Sequence, residues 1–209
     1  MKFLNFNKVL CLSPHPDDIE YSMGGTIYKF NDTKFDILCM TQGTSTDSSS
    51  NVQRHNEVKL FWEYMGCNNI ELFMSEYNQF EALTMAKWIT YLDKFISNGY
   101  DAIFVTPSED AHQEHIFVNS MVPALTRSKP ISILEYKSPS ALHSWIPNHF
   151  VMCDMVYDKK KESLQSAFIS QMDSIYFNDE CIRLFHMDYN CTKRNTLLTE
   201  QFKIRISYN

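Results

Sequence analysis

At 209 residues and 24.5 kDa, the chain is about the size of one ordinary domain. Hydrophobic residues make up 44% and charged residues 21%, while glycine and proline number only 5 and 7, which excludes collagen-like and low-complexity disordered chains. The 19 Lys and Arg against 25 Asp and Glu leave a net charge of −6, and no run of like charge exceeds Lys159 to Lys161, so a nucleic-acid partner lacks its usual electrostatic attraction.

Taken in chain order, Met1 to Leu12 holds two lysines, Lys2 and Lys8, and the short apolar run Val9 to Leu12, below the ~7 residues of a signal-peptide core. Lys8 to Ser13 is the first predicted strand. Met23 to Phe30, opening on Gly24 and Gly25, is a predicted helix, Phe35 to Met40 a second strand, and Thr41 to Gln53 a Ser/Thr-rich loop. Arg54 to Met65 spaces Val58, Leu60, Phe61, Trp62 and Met65 near a helical period, and Gly66 supplies the stop. Strands are predicted at Ile70 to Phe73, Ala102 to Thr106, Ile131 to Tyr136 and Phe150 to Val156. Helices are predicted at Glu81 to Ser97, Ile116 to Leu125 and Lys159 to Ser170. Ile175 to Leu198 receives no assignment.

Alternating strands and helices predict one α/β domain over residues 1–209, a Rossmann-like three-layer sandwich with a mostly parallel central sheet. No apolar stretch approaches the ~18 to 20 residues that span a bilayer, so no membrane span is expected. The six cysteines form no CxxC pair and read as reduced, mostly buried thiols, which predicts a cytoplasmic setting.

Two segments carry chemistry. Ser13-Pro14-His15-Pro16-Asp17-Asp18 follows the first strand directly, where open α/β sheets place their ligands. One imidazole and two adjacent carboxylates suit a divalent metal plus a free proton acceptor, and the bland alternative is an Asp-rich turn that caps a helix. The second segment, Pro107-Ser108-Glu109-Asp110-Ala111-His112-Gln113-Glu114-His115, again lies just past the end of an apolar strand. Two His and at least one carboxylate leave positions open for water and substrate, as a catalytic metal requires, and point to hydrolysis of an unreactive bond such as an amide. Zinc and iron(II) both suit such a donor set.

His-Pro-Asp-Asp with Gly-Gly downstream, and Asp-x-His-x-acid-His past a later strand, resemble the LmbE/PIG-L N-deacetylases. Further matching elements are Thr41-Gln42-Gly43, Arg54-His55-Asn56-Glu57, Lys160 to Leu164, Ser170-Gln171 and Thr199-Glu200-Gln201-Phe202, so the resemblance covers nearly the whole chain. It implies a zinc-dependent hydrolase that removes acetate from the N-acetyl group of a sugar or glycoconjugate, and homo-oligomers are common among such relatives. It further implies His15, Asp18 and His115 as metal ligands, Asp17 as general base on the attacking water, and His112 facing the substrate carbonyl. Glu114 stands where Asp is usual and is expected to orient His112. Arg54 is expected to bind substrate, and Asp110 either to hold His112 protonated or to hold a sugar hydroxyl.

Other features read as weaker. Gly24-Gly25 lacks the G-x-G-x-x-G spacing of a dinucleotide site, and Glu20 reads as structural. His143, Trp145, Pro147 and His149 are a candidate sugar-stacking segment, with ordinary packing as the alternative. The rival to an active hydrolase is an inactive sugar-binding or structural LmbE-like domain, against which stands the presence of every catalytic position.

Overall fold

A computed structural model describes residues 1–43, 48–187 and 198–208. Seven strands, β1 (Lys8–Ser13), β2 (Lys34–Cys39), β3 (Ile70–Met74), β4 (Ala102–Val105), β5 (Ser132–Tyr136), β6 (His149–Met152) and β7 (Thr199–Ile206), form one sheet in the order β3-β2-β1-β4-β5-β7-β6. The first five run parallel, and β7 pairs antiparallel with β5 and β6. The expected α/β sandwich with a mostly parallel sheet is therefore what the chain forms.

Strand alternation decides which helices cover which face. Val9, Cys11, Phe35, Ile37 and Phe104 point to one side. There they meet Ile19, Ile27, Phe61, Met65 and Leu164 of α1 (Asp18–Lys29), α2 (Ser48–Met65) and α5 (Asp154–Ala167). Leu10, Leu12, Leu38, Ile103 and Val105 point to the other, against Trp88, Leu92, Val118 and Val122 of α3 (Met85–Ile96) and α4 (Gln113–Thr126). No helix among the described residues is long and apolar enough to cross a membrane.

Several predicted boundaries move. The first helix starts at Asp18 rather than Met23, because it is two helices merged across a break at Met23, where φ is −141°. The Ser/Thr-rich loop is shorter than expected, since α2 begins at Ser48. Predicted strand Phe150 to Val156 ends at Met152, and Asp154 opens α5. Two elements received no assignment from the sequence, the short α6 (Asp179–His186) and β7. Residues 188–197 of the unassigned stretch, Cys191 included, lie outside the described residues.

The break at Met23 explains the paired glycines and a buried ion pair. Amide N–H groups that restart a helix need acceptors. Glu200 supplies them, taking Gly25 N–H on Oε1 at 2.8 Å and Thr26 N–H on Oε2 at 2.6 Å. A Cβ on Gly24 would lie 2.8 Å from Phe61 Cζ, and one on Gly25 3.0 Å from Glu200 Oε1, so neither position has room for a side chain. Lys160, fully buried, neutralises Glu200 and donates a second hydrogen bond to His186 Nε2 at 2.8 Å. His186 Nδ1 gives its proton to the Ile182 carbonyl at 2.7 Å.

Burial and the Lys160 charge hold His186 well below the usual imidazole range. The unfolded chain binds its proton near pH 6.5 and the folded chain does not, so stability is present above that value and lost as pH falls through it. We expect His186→Gln to flatten the pH 5 to 6.5 limb of the stability curve by about 1.4 kcal/mol per pH unit, read by urea denaturation. Parallel limbs in parent and variant would contradict a neutral buried His186.

Candidate active site

The strand order reverses beside β1, whose neighbours β2 and β4 belong to opposite directions of winding. The crevice outside the carboxyl ends of β1 and β4 is thus where this architecture holds a ligand. Both chemistry-bearing segments arrive there. Pro14 and Pro16 stiffen the turn that leaves β1, and Ser13 Oγ ties it by donating to the His15 carbonyl at 2.7 Å. Asp17 then adopts φ +133°, a conformation that L residues rarely take, while its carbonyl accepts from Tyr21 N–H at 2.8 Å and so begins α1.

Past that strained residue the two adjacent carboxylates meet different partners. Asp17 Oδ2 accepts from Arg54 Nη2 at 2.7 Å. Asp18 instead accepts from the His15 backbone N–H at 2.8 Å and stands 3.3 Å from both His15 Nδ1 and His115 Nε2. Burial opposes its charge, but the two imidazoles hold Asp18 well below the ordinary carboxylate range. Burial pushes Asp17 up to about 6, with Arg54 pulling the other way. Hydrogen bonds to Asp18 and Glu114 outweigh the effect of burial on His15 and hold it up to about 9, and the carboxylates of Asp18 and Asp110 likewise hold His115 up to about 10.

His115 lies in the first turn of α4, with its carbonyl pinned by Thr106 Oγ1 at 2.9 Å. Asp110 Oδ2 is 2.9 Å from His115 Nδ1, and the Ser138 hydroxyl and the His112 backbone N–H, the latter at 2.8 Å, fix that carboxylate. With Nδ1 committed to Asp110, Nε2 is left facing Asp18. Asp110 is therefore a buried anchor behind His115. It does not line the cavity, and this replaces the expectation that it contacts substrate or holds His112 protonated. Burial and the neighbouring His115 and His15 in fact lower His112 from the usual imidazole range.

Glu114 also departs from expectation. His112 stands outside α4 at its N-cap while Glu114 projects from the first turn, so Glu114 bonds His15 Nε2 rather than orienting His112. The His112 ring stacks on His115 at 4.6 Å between centroids and lies 4.8 Å from His15. Arg54, whose Nη2 also bonds the Pro16 carbonyl, borders the cavity beside Asp17, and Glu57 approaches its Nε at 4.0 Å.

One ligand atom each from His15, Asp18 and His115 lies within 4.8 Å of the others, and His15, His112 and Glu114 form a second such group. Two imidazoles and a carboxylate so placed fit a borderline divalent ion such as zinc or iron(II). Because Asp110 fixes His115, Asp110→Ala should weaken metal binding about 10- to 100-fold, read by competition with a chromophoric chelator. An unchanged affinity would remove Asp110 from this role.

The cavity, about 250 Å³, is bordered by His15, Asp17, Asp18, Arg54, His112 and His115 on its polar side. Tyr21, Ser140, Ser174 and Tyr176 also line it and were not picked out from the sequence. The proposed sugar-stacking segment does not reach it: Trp145 is buried with Nε1 donating to Glu135 at 2.8 Å, and His149 packs on Phe3. Glu20 accepts from Trp62 Nε1 at 2.7 Å inside the core, as a structural residue would.

Comparison with known proteins identifies the family. The family described as PIG-L: GlcNAc-PI de-N-acetylase matches residues 10–126, a span that contains His15, Asp17, Asp18, Arg54, His112 and His115 but not Ser140, Ser174 or Tyr176. An uncharacterized deacetylase of Escherichia coli, YaiS, is 24% identical over 149 residues, which is 68% of this chain and 80% of that protein. The diacetylchitobiose deacetylase of Thermococcus kodakarensis is 40% identical over 55 residues, 25% of this chain and 21% of its own. Among solved structures, the N,N'-diacetylchitobiose deacetylase of Pyrococcus horikoshii superposes with a TM-score of 0.74 at 22% identity, covering 97% of this chain and 85% of that one. With more than half of its length matched by the family, the chain belongs to the PIG-L (LmbE) family.

Proposed function

We propose that the chain is a single-domain, zinc-dependent N-deacetylase that hydrolyses the acetamide of an N-acetyl sugar or glycoconjugate. The observation that carries this reading is the division of labour at Asp17 and Asp18, one carboxylate facing the histidines and its neighbour facing Arg54. His15, Asp18 and His115 would hold the metal. When bound, it acidifies a water and polarises the acetamide carbonyl.

The chain's own groups do the rest. Asp17, raised by burial towards neutral pH, takes the proton of the attacking water, and Arg54 fixes the plane of its carboxylate. The water oxygen bonds to the carbonyl carbon, the C–N bond breaks, and acetate and a sugar amine leave. His112, lowered from the usual imidazole range and so neutral, donates a hydrogen bond to the carbonyl oxygen as charge develops there, and the proton that Asp17 took from the water passes to the departing nitrogen. Glu114 sets His15 in place. Arg54 also reaches substrate hydroxyls at the cavity wall.

Glycosides of N-acetylglucosamine offered to the purified protein with zinc should yield acetate and free amine in equal amounts. Saturable binding of such glycosides with no release of either product would establish an inactive sugar-binding domain in place of the enzyme.

A further inference from the structure

Residues 169–176 form a strap between the buried rings of Phe168 and Phe177, and Gln171, Ser174 and Tyr176 of this strap line the cavity. Two short 3₁₀ turns shape it, Ile169–Gln171 and Ile175–Phe177, with Ser174 N–H donating to the Gln171 carbonyl at 2.9 Å and Phe177 N–H to the Ser174 carbonyl at 3.0 Å. These bonds give the strap its form and not its place. Its side chains between the two rings are exposed or half-buried, so polar ties to the body of the protein must locate it.

At its far end, Tyr21 Oη on α1 donates to the Tyr176 carbonyl at 2.8 Å and Gln165 Nε2 on α5 to the Phe177 carbonyl at 3.1 Å. At its near end the tie is Glu57 on α2. This buried carboxylate accepts the Ser170 N–H on Oε1 at 2.8 Å and the Ser170 hydroxyl on Oε2 at 2.6 Å. Glu57 also faces Arg54, one helical turn earlier. Arg54 Nε is buried with no hydrogen-bond partner among the described residues, and Glu57 Oε2 stands 4.0 Å from it, while Arg54 Nη2 donates to Asp17 Oδ2. Tyr21 N–H in turn donates to the Asp17 carbonyl at 2.8 Å. The contacts thus close a ring from Asp17 through Arg54, Glu57, Ser170 and the strap to Tyr21 and back to Asp17. A buried carboxylate is costly unless its acceptors are used, and here they are used on the strap.

We infer that Glu57 is a positioning residue, which holds the strap so that Gln171, Ser174 and Tyr176 meet the substrate at a set distance from Asp17. Glu57 does not line the cavity and touches no reacting atom. The inference rests on the deacetylase reading and adds a residue to its machinery.

Acetate release from an N-acetylglucosaminide at one equivalent of zinc gives kcat and KM for the parent, Ser170→Ala, Glu57→Gln, Glu57→Ala and the double variant Glu57→Ala/Ser170→Ala, with the zinc content of each measured alongside. A hydrogen bond to a charged acceptor is worth about tenfold or more in an equilibrium, and a strap set loose must be ordered again by the substrate, so the loss is read in KM. Glu57→Ala should raise KM by about 10- to 100-fold and Ser170→Ala by about 3- to 10-fold, with kcat within about threefold of the parent and zinc content unchanged. Glu57→Gln should restore KM to within about threefold of the parent, because its amide oxygen accepts the Ser170 N–H and its amide N–H donates to the hydroxyl oxygen. The double variant should match Glu57→Ala within about twofold, since both changes remove one contact. Ser170 is exposed, so Ser170→Ala folds whatever becomes of Glu57→Ala, and an unchanged KM in it overturns the positioning role. Glu57→Gln as impaired as Glu57→Ala, effects on KM that multiply in the double variant, or zinc lost from Glu57→Ala would overturn it too, with the deacetylase reading intact. No acetate from the parent overturns the deacetylase reading, and the role of Glu57 with it.

Discussion

Asp18→Ala should cost the protein its metal and its activity together. The carboxylate stands 3.3 Å from both His15 Nδ1 and His115 Nε2 and also accepts the His15 backbone N–H, so its loss removes one donor and loosens the imidazoles that remain. Turnover with stoichiometric zinc should fall by roughly 10³-fold or more, with partial rescue at high added zinc. Metal content after gel filtration, set beside acetate release, checks this. A variant that kept both would exclude Asp18 as a ligand.

Asp17→Asn should fail in a different way. Amide and carboxylate share size and shape, and Arg54 Nη2, which donates to Oδ2 at 2.7 Å, finds an amide oxygen there instead, so the turn keeps its form. What disappears is the ability to accept the water's proton, usually worth about 10²- to 10⁴-fold in rate. Turnover should drop by that amount while zinc content stays near the parent's and KM changes little. A metal-free Asp17→Asn preparation would mean that the two carboxylates have exchanged roles in this account.

The first of the two chemistry-bearing segments was legible because everything it needs is local. Strand β1, two prolines and a helix start place His15, Asp17 and Asp18 within four residues, and strand-end position alone brings them to the crevice. The second was legible in its ligand and not in its supports. The family resemblance paired Glu114 with His112, yet α4 begins at Gln113, which leaves His112 on extended backbone and turns Glu114 towards His15. Asp110 finds His115 only because the chain bends through Ala111 and because Ser138, after β5, closes on the same carboxylate.

Long-range pairs were out of reach for the same reason. Matching Lys160, Ser170 and Glu200 to family elements gave no sign that Lys160 and Glu200 meet in the core, or that Glu57 holds Ser170 next to Gln171, which lines the cavity. Strand β7 did carry a signal, since Phe202, Ile204 and Ile206 alternate with Gln201, Lys203 and Arg205. The alternation opens on Glu200, a carboxylate in the apolar register, and only the Gly25 and Thr26 amides with Lys160 explain why a charge sits there.

Hydrolysis of an N-acetyl sugar is proposed to run through a metal held by His15, Asp18 and His115. Acetate release from an N-acetylglucosaminide, followed in one preparation before chelation, after removal of metal, and after return of one equivalent of zinc, tests it most directly. Turnover should be followed by loss to background and then by recovery, with no recovery for His115→Ala at the same zinc. Turnover that persists in the metal-free protein, or that returns with one equivalent of zinc in His115→Ala, would contradict it.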